Sequence, residues 1–181
     1  MNARNTAVEE PDTAPDLESR FETFFRSNYE RIARAVARIV GDPARAEDLA
    51  VDAFWKLWCN PQAQGERAGG WVYRTALRLG LNELRRDARR NHYERQSLPR
   101  NGAHALTPEE ARAAAEEREQ VRLVLAALDP RQAELLILRS NGLSYEEVAS
   151  AADVNPASVG TLISRAQQAF RKEYVKRYGL E

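Results

Sequence analysis

Cysteine is nearly missing from this 181-residue chain, and so is lysine. The single cysteine, Cys59, has nothing to pair with inside the chain, which suits a reducing compartment. Of the 27 basic residues only Lys56, Lys172 and Lys176 are lysine, so the positive charge is almost entirely guanidinium, the planar fork suited to phosphates and base edges. Genome base composition produces the same bias, so it carries little weight. A charge excess is missing too: 27 acidic residues balance the 27 basic ones. Wrapping nucleic acid through bulk positive charge is thereby excluded, and any polyanion contact must come from local clustering. No apolar run approaches the roughly 18 residues of a spanning helix. The stretch from Met1 to Arg20 is acidic and proline-containing instead of basic then apolar, so no signal peptide and no membrane insertion are expected, and the chain is expected to be soluble and cytoplasmic. A catalytic set is also lacking. Cys59, His92 and His104 are single and far apart in sequence, unlike clustered metal ligands. The acid pairs Glu109 with Glu110 and Glu146 with Glu147 fall in first helical turns, where the helix dipole accounts for them. Without a nucleotide-binding glycine loop, neither an enzyme nor a cofactor or metal is expected.

What is present is helical periodicity, in two blocks. Residues 1–19 hold Glu9, Glu10, Asp12, Asp16 and Glu18 with Pro11 and Pro15 and read as a disordered acidic tail. Phe21, Phe24, Phe25, Tyr29, Ile32, Val36 and Ile39 recur at steps of three and four, predicting a helix from about Leu17 to Val40 ended by Gly41. Asp42 and Pro43 open a second helix with an apolar stripe at Ala46, Leu49, Ala50, Ala53, Phe54, Leu57 and Trp58. Asn60 to Gly70 reads as a loop, and a third helix starts at Trp71. Pro99, Asn101, Gly102 and Pro108 interrupt the helical pattern and mark residues 95–107 as a flexible linker. Beyond it, Thr107, Pro108 and Glu110 predict a capping box opening a helix to Leu128. Asp129 with Pro130 starts another that stops at Asn141 and Gly142; Ser144 with Glu147 is a second capping box, and Asn155 with Pro156 opens the last helix, to about Tyr178. No segment alternates strictly enough for a strand. The expectation is an all-α protein of two small helical domains, residues 20–94 and 108–181, the second containing a helix-turn-helix.

Two constellations carry chemistry. From Trp71 to Arg95, seven arginines face three acids. At about 100° per residue, Trp71, Arg74, Arg78, Asn82, Arg85 and Arg89 fall within roughly 80° of one another, while Glu83 and Asp87 lie on a different face. A basic stripe of about 30 Å that begins with an indole beside a glycine-rich loop suits a phosphate backbone with a stacked, unpaired base. It reads equally as a solvated arginine face with Trp71 at the edge of a core. The second constellation runs from Ser144 to Phe170, a short capped helix, a tight turn and a longer helix. Opposite the apolar side of that longer helix lie Ser158, Thr161, Arg165, Gln168 and Lys172, with the small residues Ala157 and Gly160 near its start. Arginine and glutamine make paired hydrogen bonds to guanine and adenine, so this face suits a major groove, although an ordinary helical hairpin carries a similar pattern.

Taken together, three stretches resemble the compact, two-domain extracytoplasmic-function (ECF) group of bacterial RNA polymerase sigma factors. They are FETFFRSNYERIARAVARIVGDPARAEDLAVDAFWKLW (Phe21 to Trp58), GWVYRTALRLGLNELRRDARR (Gly70 to Arg90) and LDPRQAELLILRSNGLSYEEVASAADVNPASVGTLISRA (Leu128 to Ala166). The resemblance implies that residues 20–94 act as a region 2-like domain and residues 108–181 as a region 4-like domain. It implies docking on core RNA polymerase through Glu47, Asp48, Asp52 and Lys56. It assigns promoter opening and non-template strand holding at the minus-10 element to Trp71, Arg74, Arg78, Asn82, Arg85 and Arg89, with the Asn60 to Gly70 loop choosing the base. Minus-35 reading is assigned to Ala157, Ser158, Thr161, Arg165, Gln168 and Lys172. It further implies promoter DNA as a partner and sequestration by an anti-sigma factor. Relatives often carry basic residues where this chain has Gly160 and Leu162, and a glycine where it has Asp153, which leaves Arg165 as the main cation of the reading face.

The residues leave two other readings open. One is a stand-alone helix-turn-helix regulator binding a palindrome as a dimer; neutral net charge and an arginine stripe outside the reader speak against it. The other is a helical protein-interaction module anchored by surface aromatics.

Overall fold

The computed structural model describes residues 14–95 and 108–179, with side chains from 17 to 90 and from 113 to 179. Every regular element in it is helical, as expected: α1 (Ala14–Val40), α2 (Pro43–Trp58), a single 3₁₀ turn (Pro61–Ala63), α3 (Ala68–Arg95), α4 (Pro108–Ala127), α5 (Pro130–Ser140), α6 (Tyr145–Ala152) and α7 (Pro156–Tyr178).

Local chemistry explains most boundaries. The Asp42 carboxylate accepts from the Arg45 amide at 3.2 Å, and Pro43 occupies the first turn of α2, where its missing N–H costs nothing. Asp129 caps α5 by accepting from the Arg131 amide at 2.9 Å, and Asn155 caps α7 through the Ala157 amide at 2.9 Å. At α6 the capping box is complete: Ser144 Oγ accepts from the Glu147 amide while the Glu147 carboxylate accepts from the Ser144 amide at 2.8 Å. The expected box at Thr107 and the tail of residues 1–13 lie outside the described residues, as do the side chains of His92 and His104.

Two boundaries differ from expectation. Helix α1 already begins at Ala14, so residues 14–19 are helix and not tail. Pro15 fits a first helical turn, where its missing N–H costs nothing. Helix α3 begins at Ala68, three residues before Trp71. Ala68 is buried, and Gly69 and Gly70 are taken into the helix.

The first half is a three-helix unit. Ile32, Val36 and Ile39 of α1, Ala50, Phe54 and Leu57 of α2, and Val72, Leu77 and Leu81 of α3 form its centre, each at most 2% exposed. Gly80 lets α3 approach α1 closely, since a Cβ there would stand 3.2 Å from a Val36 methyl. Phe54 is ringed by Phe21, Phe24, Phe25 and Tyr29, the closest pair being Phe25 and Phe54 at 4.7 Å between centroids. A fully buried phenyl ring of this kind contributes about 1.5 to 3 kcal/mol. In the second half α7 packs on α4, α5 and α6 through Val159, Ile163 and Ala166.

The halves are not separate. Helix α3 also packs on α4, α5 and α6, and one continuous cluster of buried side chains runs from Ile32 to Ile163.

Candidate functional site

The arginine-bearing face of α3 is shaped by what surrounds it. Its acids are drawn aside: Arg45 of α2 donates to Glu83 at 3.1 Å, Arg86 donates to the same carboxylate at 2.8 Å, and Asp87 pairs with Arg90 at 2.9 Å. The Arg45 hydrogen bond holds the Glu83 carboxyl below its ordinary range. Trp71 is half-buried against the shared core, and Arg74 is half-buried as well. Asn82 and Arg89 are exposed.

Arg78 and Arg85 meet the second half of the chain. Arg78 Nε donates to Glu134 Oε2 of α5 at 3.2 Å. Glu134 is only 2% exposed, and its other oxygen, Oε1, has no hydrogen-bond partner. Arg85 donates to the backbone carbonyls of Ala126 and Leu128, at 3.3 and 3.4 Å. Burial pushes the Arg85 guanidinium down from its usual value, opposed by the charge of Asp129. A cavity of about 220 Å³ remains between these groups, lined by Arg78, Asn82, Arg85, Arg131 and Glu134 among others. The stripe drawn by periodicity is therefore a single face, but two of its arginines are engaged by the same chain.

The polar face of α7 is different. Ala157, Ser158, Thr161, Arg165, Gln168 and Lys172 are all exposed, and the helix is held from behind by Val159, Ile163 and Ala166. Gly160 and Leu162 do not belong to that face: a Cβ on Gly160 would meet the Tyr145 ring at 3.5 Å, and Leu162 packs partly buried against the core. Asp153, at the position where relatives often carry glycine, ends α6 in the left-handed region at φ 54°, its N–H donating to Ala149. Arg131 of α5 donates to the carbonyls of Ala152 and Asp153 at 3.1 and 3.4 Å and so ties this turn to the helix beneath.

On α2, Glu47, Asp48, Asp52 and Lys56 lie along the outer surface, with Lys56 and Asp52 paired at 3.5 Å and Asp48 at 3.7 Å from Arg45. The same surface carries two apolar residues that the sequence reading did not single out, Val51 and Trp55, the latter 62% exposed. Together with Phe21, Phe25 and Trp58 they line an open cleft of about 430 Å³. The signal was available, since Val51 and Trp55 are four apart and out of register with the buried stripe. Cys59 is exposed at the end of α2, and among the described residues no cluster of histidine, cysteine and carboxylate groups has the make-up to hold a metal ion. No described helix is long and apolar enough to cross a membrane.

Comparison with known proteins places both halves. The family model for Sigma-70 region 2 matches residues 24–90, and that for Sigma-70, region 4 matches residues 118–169. The ECF RNA polymerase sigma factor SigJ of Mycobacterium tuberculosis is 31% identical over 151 residues, covering 80% of this chain and 48% of that protein. SigE of Mycolicibacterium smegmatis is 27% identical over 162 residues, covering 86% of this chain and 62% of that one. The RNA polymerase sigma-E factor of Streptomyces coelicolor is 25% identical over 159 residues, covering 87% of each. The chain thus spans about half the length of SigJ and somewhat under two thirds of SigE. The solved structure of the sigma factor RpoE in complex with the anti-sigma factor NepR, from Bartonella quintana, shares the fold, with a TM-score of 0.50 at 17% identity over 88% of this chain and 99% of that one. With a region 2 module built from α1 to α3 and a region 4 module ending in the helix-turn-helix of α6 and α7, the chain belongs to the sigma-70 family, among its ECF sigma factors.

Proposed function

We propose that the chain acts as an ECF sigma factor: it binds core RNA polymerase, directs it to specific promoters, opens the minus-10 element and starts transcription. The observation that carries this reading is the pairing, on one chain and in this order, of a region 2 module bearing an arginine face with a region 4 module bearing an exposed polar helix. In this reading Glu47, Asp48, Asp52 and Lys56 on the outer surface of α2 meet the polymerase. Trp71, Arg74, Arg78, Asn82, Arg85 and Arg89 hold the non-template strand once it separates, and the segment from Asn60 to Gly70 selects the flipped base. Unstacking costs a few kcal/mol per step, and an indole with cationic support for the backbone offsets that cost. Ala157, Ser158, Thr161, Arg165, Gln168 and Lys172 read the minus-35 element, with Arg165 as the principal cation. Residues 95–107 join the region 2-like domain, 20–94, to the region 4-like domain, 108–181. The join keeps each at high effective concentration for its own promoter element when one polymerase carries both.

The chain works in the cytoplasm, with no catalytic role of its own, and an anti-sigma factor is its negative partner; the complex in which the Bartonella relative was solved supports that partnership. Run-off transcription with purified core enzyme and a library of promoter DNA tests the reading. Transcripts that require the chain, starting downstream of a shared pair of elements, are expected. Their absence, with specific duplex binding by the chain alone, would point to a stand-alone regulator instead.

A further inference from the structure

The cavity beside Glu134 gathers more charged groups than its size requires. Arg78, Asn82 and Arg85 reach it from α3, and Arg131 and Glu134 from α5. Glu134 is 2% exposed; Arg78 Nε donates to its Oε2 at 3.2 Å, and Oε1 has no partner. A buried carboxylate oxygen without a donor is costly to leave unsatisfied. The guanidiniums have donors left over as well. Their hydrogen bonds within the chain use Nε of Arg78, Nε and Nη2 of Arg85, and Nη2 of Arg131. An arginine carries about five N–H donors in a planar fork, so most of those at this cavity remain for another acceptor.

We infer that this cavity is a binding site for a small phosphomonoester that also carries a hydroxyl or N–H donor. Charge selects the phosphate. Three guanidiniums less the Glu134 carboxylate leave two positive charges, and a phosphomonoester carries about −1.5 to −2 near neutral pH. Asp129 adds a negative charge near Arg85, but its carboxylate caps α5, accepting from the amides of Arg131 and Gln132, and the positive end of the helix dipole opposes it there. Geometry selects the same group. Guanidinium forks arrive from two helices, and the three terminal oxygens of a phosphomonoester accept from several forks at once, where a carboxylate has two. Burial already pushes the Arg85 guanidinium down, and an anion beside it offsets that cost. Glu134 selects the second group. An ionised carboxylate only accepts, so Oε1 calls for a donor, which a phosphomonoester dianion lacks and a hydroxyl or N–H elsewhere on the ligand supplies. Size sets the limit. At about 30 Å³ per water, a cavity of about 220 Å³ has the room of roughly seven waters, enough for a phosphoryl group on a short hydroxylated body and too little for a dinucleotide. On the proposed function Arg78 and Arg85 also hold the separated strand, so an occupant of the cavity competes with DNA for them. That consequence rests on the sigma reading; the binding itself does not.

Titration of the full chain, without polymerase or DNA, tests it by calorimetry and by amide NMR shifts. The probes are glycerol 3-phosphate, methyl phosphate and dimethyl phosphate, at about pH 8, where a monoester with its second pKa of about 6 is fully ionised. Glycerol 3-phosphate is expected to bind saturably, one molecule per chain. Methyl phosphate, which has no hydroxyl, should bind about tenfold more weakly, and dimethyl phosphate, a singly charged diester like the DNA backbone, more weakly still. Glu134→Met should bring glycerol 3-phosphate and methyl phosphate to similar affinity, whereas Arg131→Gln should weaken both at least about fivefold. Shifts in the unmodified chain locate the site without relying on either variant to fold: those moved by glycerol 3-phosphate should cluster at residues 78–85 of α3 and 129–134 of α5. Absence of saturable binding overturns the inference and leaves water as the partner of Oε1. Shifts centred elsewhere, or equal affinity for the three probes, also overturn it, and a preference for the diester would assign these guanidiniums to the DNA backbone instead. Silence of the chain in run-off transcription would defeat the sigma reading alone and leave a positive titration standing.

Discussion

The polar faces of α3 and α7 carry related chemistry, arginine with amide side chains on one side of a helix and apolar residues on the other, yet they meet different fates. Arg78 and Arg85 of α3 are taken up by Glu134 and by backbone carbonyls of the second half, whereas Arg165 and Gln168 of α7 face solvent. A helix's own periodicity decides which residues share a face. What covers that face depends on contacts between residues far apart in sequence. On the proposed reading the two faces answer differently to mutation, because changes on α3 would touch both the held strand and the contacts with the second half, and changes on α7 the duplex alone.

The sharpest test of that contrast is the triple change Arg74→Ala, Arg78→Ala and Arg85→Ala. Promoter opening, scored by permanganate reactivity of exposed thymines, should fall by about tenfold or more, as expected from losing charge-assisted hydrogen bonds of about 1.5 to 3 kcal/mol each. Polymerase association should persist. Unchanged thymine reactivity would remove the strand-holding role from α3. On α7, Arg165→Ala or Gln168→Ala should weaken dependence on the upstream element by about 1 to 3 kcal/mol, read as relative transcription from promoters with and without it. Equal responses of the two promoters would take base reading away from that residue.

Smaller effects separate the scaffold of the reader from its contacts. Ser144→Ala removes the cap of α6 and should cost about 1 kcal/mol in denaturant unfolding without changing promoter preference. Hydrogen bonding from the Ser144 amide and hydroxyl holds the Glu147 carboxyl below its ordinary value, with the charge of Arg31 on α1 adding to the effect. The stability this carboxylate adds is present above the usual carboxylate pKa of about 4.3 and is lost as pH falls through the lower folded value. The difference in stability between the native chain and Glu147→Gln should accordingly be clear at neutral pH and vanish on acidification; a difference independent of pH would contradict it. Least of all, Asp153→Gly should raise stability by about 0.5 kcal/mol, because relief of about 1 kcal/mol of left-handed strain is partly offset by glycine's greater chain entropy. A loss of stability would mean that the Asp153 side chain contributes more than its backbone costs.

The helices and most of their ends were legible because their causes are local. Asp42 with Pro43, Asp129 with Pro130, Ser144 with Glu147, and Asn155 with Pro156 act within three residues of themselves, and the structure forms each of these caps. The start of α3 was not legible. Gly69 and Gly70 look like breakers along the chain, yet both are helical and Gly70 packs against α6, where a Cβ would stand in ordinary contact 3.5 Å from Ala151 Cα. Glu134 is illegible for a related reason: a glutamate between Ala133 and Leu135 has the look of a surface residue, and its 2% exposure arises in the tertiary packing. Trp55 is masked by its neighbours: Phe54, Leu57 and Trp58 already account for an apolar helix, and the tryptophan lies on the other side.

One brace has a consequence for engineering. Arg131 fastens the bend between α6 and α7 from outside the pair. The angle at which α7 would enter a groove is thus governed partly by a guanidinium on a different helix. Transplanting α6 and α7 into a foreign scaffold would preserve the proposed contact residues and lose the brace that aims them, so a graft meant to keep the geometry of this turn needs α5 to travel with it.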